Sequence, residues 1–121
     1  MANHKVMAIF NKAPYERISV AEGTRALAGL VTMGTEGIAV FISDGVYALL
    51  KNQNPTSVHI EPILNWLRLL ETNRVPMRAI WESLFQRGIQ ESDLLDLAGL
   101  EVINSKDLAE LMLSYNSVFV M

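Results

Sequence analysis

Few residues in this 121-residue sequence have the types and spacing that chemistry requires. It contains no cysteine, which removes thiolate nucleophiles, disulfides and thiolate-held metals at once. Its two histidines, His4 and His59, lie far apart and belong to no H-x-x-x-H pattern, so exposed histidines are expected and no metal site. His59 and Glu61 in "SVHIEP" would share a face if that polar loop were extended as a strand, a spacing too common to mark a site. Ser83 follows Glu82 without a G-x-S-x-G turn around it, so no serine hydrolase is read from it. What remains is capture of a polar ligand. Glu22-Gly23 opens a helix whose free N–H groups suit an anion, and Gly23 allows close approach. Asp44-Gly45 ends a strand and can accept a donor from a ligand or partner. Both pairs also have a structural explanation, which is preferred. Ser19 and Glu22 have capping-box spacing, and Asp44 suits a helix N-cap with Gly45 easing the turn. Gly23 is left without a reason by that account.

The third position of interest is "VPMRAIWESLFQRG", residues 75–88, where an apolar strand runs straight into a helix. In parallel α/β proteins such junctions are where ligands and reactive groups gather. Here the junction holds Ala79, Ile80 and Trp81, none of them a nucleophile, acid or base. Glu82 follows in the first helical turn, where a carboxylate is favoured electrostatically in any protein. Trp81 is expected on an interface or a pocket wall. Trp66 lies on an apolar helical stripe, as core or as interface anchor. The six methionines are read as packing fillers.

These positions depend on an alternating series of elements. Residues 5–10, "KVMAIF", and 38–43, "IAVFIS", are apolar runs expected as strands covered on both faces. Between them lies a helix starting at Ser19, with Leu27, Leu30 and Val31 as its stripe, Ala26 beside them, and Gly34 or Gly37 as its stop. "DGVYALLK" turns into a short helix, and a polar loop leads to a helix with Pro62 in its first turn. Ile63, Leu64, Trp66, Leu67 and Leu70 form that helix's apolar face. "VPMRAI" is a strand with Pro76 at its beginning, and "WESLFQRG" a helix stopped by Gly88. "GLEVI" and "SVFVM" are strands around a helix capped by Asn104 and Asp107, with Leu108, Leu111 and Met112 on one side. The pattern predicts one domain over residues 1–121. It is a three-layer α/β/α unit with a mainly parallel five-stranded sheet wound in flavodoxin-like fashion. Alternation leaves the strand order open.

The net charge of −3 provides no basic stripe for phosphates, so no nucleic-acid partner is expected. Apolar stretches are broken by charge, Gly or Asn well short of the roughly 20 residues a membrane helix needs. No secretory signal is read at the N-terminus, and a cytoplasmic protein is expected. Half of the residues are hydrophobic, and mean hydropathy is +0.23. A chain this small has too much surface to hide so much apolar material, which points to a subunit interface.

Four stretches together resemble the DsrE/DsrF-like sulfur-relay family, in its DsrF/TusC-like branch. They are "VMAIFNKAPY" with "AEGTRALAGLVTM", then "AVFISDGVYALLKNQNP", then "SLFQRGI" with "ESDL", and finally "SKDLAELMLSYNSVFVM". The resemblance implies a doubly wound sheet and assembly as a trimer or hexamer, either of like chains or with cysteine-bearing paralogues. It also implies that catalytic relatives carry persulfide sulfur on a cysteine at about Ile80, with Trp81 the neighbouring alternative. A residue without a thiol cannot carry that sulfur. The expected function is therefore a non-catalytic subunit acting through contacts, with no cofactor. The alternative is an α/β domain that binds a small anion or nucleotide-like metabolite through Gly23, Asp44, Gly45 and the helix starts. Ile80, Trp81 and Glu82 complete the candidate pocket. Enzymatic action ranks third, with Asp44, Glu82 and the histidines as the available groups and no nucleophile–base arrangement among them.

Overall fold

A computed structural model describes residues 4–13, 19–51 and 63–121. Its strands and helices follow in the order β1 Lys5–Phe10, α1 Ser19–Thr32, β2 Glu36–Phe41, α2 Ile63–Thr72, β3 Met77–Ile80, α3 Trp81–Gln86, β4 Leu100–Ile103, α4 Ser105–Met112 and β5 Ser117–Val120. A 3-10 turn over Ser43–Leu49 follows β2, and a shorter one over Glu91–Asp93 follows α3. The predicted capping box at Ser19, together with Pro14, Tyr15, His59, Glu61 and Pro62, falls outside the described side chains.

All pairings in the sheet are parallel, in the order β4-β3-β2-β1-β5. From β1 to β4 the chain steps in one direction, and right-handed crossovers then put α1, α2 and α3 on one face. It returns past β1 to reach β5, which sends α4 across the other face. The core divides accordingly. Ala8, Phe10, Phe41 and Met77 pack beneath Leu27 of α1 and Leu67 of α2. Met7, Ile9, Val40 and Ile80 meet Leu108 of α4 on the opposite side. Burial on both faces explains why β1 reads as an unbroken apolar run. One eight-residue helix covers its face thinly, and Val118 and Val120, paired with Met7 and Ile9, stay exposed on the edge strand.

The three-layer architecture agrees with the alternation of the sequence, and the differences are local. β2 spans 36–41 rather than 38–43. Ser43 takes a left-handed φ of 53°, which turns the chain out of the sheet after Ile42. On α1 it is Ala28 that is buried, while Ala26 faces solvent. Gly34, not Gly37, stops that helix, because its φ of 99° closes the last turn by donating to the Val31 carbonyl. Gly37 lies inside β2, where a Cβ would come within 2.7 Å of Leu27. Gly88 (φ 67°) closes α3 in the same manner.

Candidate functional site at the carboxyl edge of the sheet

β3 passes into α3 without a loop, so Ile80 is both the last strand residue and the residue before the helix. Strand alternation turns Met77 and Ala79 toward α1 and α2 and turns Ile80 into the α4 cluster, where it is 1% exposed. The next residue, Trp81, is half exposed, and its ring stacks on Phe85 one turn later at 5.1 Å between centroids. Phe85 is itself 70% exposed, so this aromatic pair stands in solvent at the edge where the strands end.

A six-residue helix makes little structure by itself, and α3 is held by polar ties to its neighbours. The buried Ser83 hydroxyl accepts from the Ser43 N–H at 2.8 Å. Arg87 donates to Asp44 Oδ1 through Nε at 3.1 Å and Nη2 at 2.9 Å, and to the Ser83 carbonyl at 3.1 Å. Glu82 accepts from the Ser105 N–H at 2.9 and 3.2 Å, which satisfies a free donor at the start of α4. Asn104 caps the same helix by accepting from Asp107 N–H at 2.8 Å, which is one half of the capping box its spacing predicts, while the Asp107 carboxylate does not return the bond. The Glu82 carboxyl is held below its ordinary range chiefly by its own backbone N–H, assisted by the Ser105 donors against the opposing effect of desolvation.

Between the starts of α3 and α4 opens a cleft of about 580 Å³. Trp81 and Glu82 form one wall, and Asn104, Lys106 and Asp107 another. Glu91 stands at its side over Val102 and Ile103. No side chain in it forms a nucleophile–base pair, and no group of three or more His, Asp or Glu among the described residues is placed to hold a metal. The arrangement offers carboxylates, one ammonium and an aromatic wall, which is equipment for binding.

The six sequence candidates separate. Trp81 and Glu82 line the cleft, and Ile80 lies in the core behind them. Asp44 is a correction: the residue before its turn is Ile42, no side chain caps that turn, and the Asp44 carboxylate pairs with Arg87 instead. Gly45 packs so tightly on β1 that a Cβ would overlap the Phe10 carbonyl. Gly23 gains the explanation it lacked, because a Cβ there would lie 2.5 Å from the Phe10 ring and 3.0 Å from Met121. Arg87, Glu91 and Lys106 were not singled out from the sequence. Arg87 alone had a readable signal, as the cation of the "QRG" stretch, while the other two join the cleft only through the crossing of distant elements. His4 bonds Ser117 at 3.0 Å on the far strand edge.

The parallel order, the crossovers and this junction can be set against known proteins. The DsrE/DsrF-like family model matches residues 4–121. The chain belongs to the DsrE/DsrF-like family. Within that family it stands in the DsrF/TusC-like branch. It is 33% identical to the TusC homolog of Pasteurella multocida (strain Pm70) over 94 residues, covering 75% of this chain and 79% of that protein. It is also 31% identical to the TusC homolog of Vibrio parahaemolyticus serotype O3:K6 (strain RIMD 2210633) over 88 residues, covering 72% and 75%. The ychN protein of E. coli has the same DsrE/DsrF-like fold, with a TM-score of 0.82 at 26% identity over 98% of this chain and 99% of that one. MTH1491 of Methanobacterium thermoautotrophicum, a protein of unknown function, shares the fold with a TM-score of 0.70 at 15% identity over 98% of this chain and all of its own. This DsrE/DsrF-like chain contains no cysteine at any position.

Proposed function

We propose that this chain is a DsrF/TusC-like subunit associated with sulfur relay, and that it acts through contacts with other subunits rather than by carrying sulfur. One observation carries the reading: the strand-to-helix junction, where the family resemblance sets the sulfur-carrying cysteine, is occupied by buried Ile80 and exposed Trp81. Persulfide transfer needs a thiolate to accept and release sulfur, and neither side chain can form one. A stacked pair of exposed aromatic rings is instead an interface feature, since buried Trp side chains dominate binding hot spots. The assembly is a homo-trimer or homo-hexamer, or a hetero-oligomer with cysteine-bearing paralogues, in the cytoplasm. No described helix is long and apolar enough to cross a membrane.

The native mass of the complex purified from its own cells tests this. A multiple of the 13.5 kDa chain, or that chain with additional subunits, is expected. A monomer at micromolar concentration with no partner recovered would sink the proposal, as would radiolabelled sulfur bound covalently to the purified chain. The metabolite-binding alternative has less to draw on, because Gly23, Gly45 and Asp44 all have partners within the fold.

A further inference from the structure

We infer that the cleft at the carboxyl edge of β3 and β4 receives an arginine side chain from a partner subunit, seated on the Trp81 ring. The inference rests on the subunit reading above and adds the partner's chemistry to it. Three carboxylates line the cleft, those of Glu82, Glu91 and Asp107, against the single ammonium of Lys106. Glu82 is committed to the Ser105 N–H. The Glu91 and Asp107 carboxylates make no ion pair or side-chain hydrogen bond with any described residue. An apolar occupant would strip water from these charges without replacing it, whereas a cation would pair with them. Trp81 presents the aromatic surface that binds cations best, and Phe85, stacked on the same ring, lies outside the cleft lining. A guanidinium satisfies both halves of such a site, stacking on the ring while donating to carboxylates at its edge. Of the assemblies named above the hetero-oligomer is selected, because a second copy brings the same net charge of −3 to a carboxylate-lined cleft whereas an unlike subunit can bring a basic patch.

NMR of the full-length chain tests this, reading the Trp81 indole N–H with Trp66 as an internal reference. The probe is the tripeptide acetyl-Gly-Arg-Gly-amide, compared with its citrulline and glutamate analogues. The arginine peptide is expected to shift Trp81 saturably and leave Trp66 unmoved, with the citrulline peptide at least threefold weaker. Glu91→Gln and Asp107→Asn should each weaken binding by roughly threefold, and Lys106→Gln should strengthen it by a similar factor. The opposite sign at position 106 guards against a variant that merely folds poorly. Equal shifts from arginine and citrulline peptides would overturn the inference, as would no saturable shift. A salt-insensitive shift of Trp81 on concentrating the chain alone would also overturn it, by assigning the surface to a second copy. A complex of the expected mass whose Trp81 ignores the arginine peptide removes this inference and leaves the subunit reading standing. A lone monomer removes the subunit reading first.

Discussion

At the scale of single residues, the two glycines that looked like ligand contacts serve the core, and they do so with different tolerance. At Gly45 the obstacle to a side chain is the Phe10 carbonyl, which belongs to β1, accepts from the Ile42 N–H at 3.0 Å and cannot move without disturbing the pairing with β2. At Gly23 the obstacles are the Phe10 ring and the end of Met121, which can shift by small rotations. Gly45→Ala is therefore expected to cost about 3 kcal/mol or more. Gly23→Ala should cost about 1–2 kcal/mol, because alanine's better helix propensity offsets part of the clash. Urea unfolding midpoints of the two variants measure the difference, and equal losses would contradict the backbone-versus-ring distinction. The strain of Ser43 in the left-handed region belongs to the same corner, where its N–H is bonded to Ser83.

At the scale of elements, α3 holds its place through ties made by Ser83, Arg87 and Glu82 rather than through length. Two carboxyls carry a pH signature. That of Glu82 lies below the ordinary value of 4.5 when folded, and that of Glu71, held by the Ala98 N–H and then by Arg68, does too. A depressed carboxyl contributes stability that is present above the unfolded value. That contribution is lost as pH falls through the folded one. Stability should thus be flat in these groups above about pH 4.5 and decline below it. Glu71→Gln with Glu82→Gln should be less stable at neutral pH and show a shallower decline in acid. Urea midpoints at about pH 7 and pH 3.5 check this, and a variant that falls as steeply as the natural chain would contradict it.

At the scale of the whole molecule, the sheet places apolar residues where water reaches them. Trp81 and Phe85 project from the carboxyl edge, and Val118 and Val120 lie on the side that α4 covers thinly. Because Trp81 and Phe85 are exposed, removing them should leave folding almost untouched. The double variant Trp81→Ala with Phe85→Ala is expected to unfold within about 0.5–1 kcal/mol of the natural chain while losing assembly or partner capture. Unfolding midpoint and native mass read the two effects separately. A double variant that assembles normally would remove the aromatic pair from the interface.

The sequence by itself determined the elements and the chemistry that is missing. The apolar run at 5–10 specifies a strand buried on both faces, the run at 75–80 specifies a strand of which 77–80 form, Asn104 specifies a cap, and the absence of cysteine rules out a thiol, because each of these properties is local or compositional. Only the tertiary structure decided the strand order, the lone position of α4, the Asp44–Arg87 pair and the cleft. Each of those joins residues more than 20 positions apart, and their proximity follows from the crossovers of the sheet. A local pattern is blind to such encounters: Asp44 looked like a cap because aspartate commonly is one, and the arginine 43 residues later made it an ion pair.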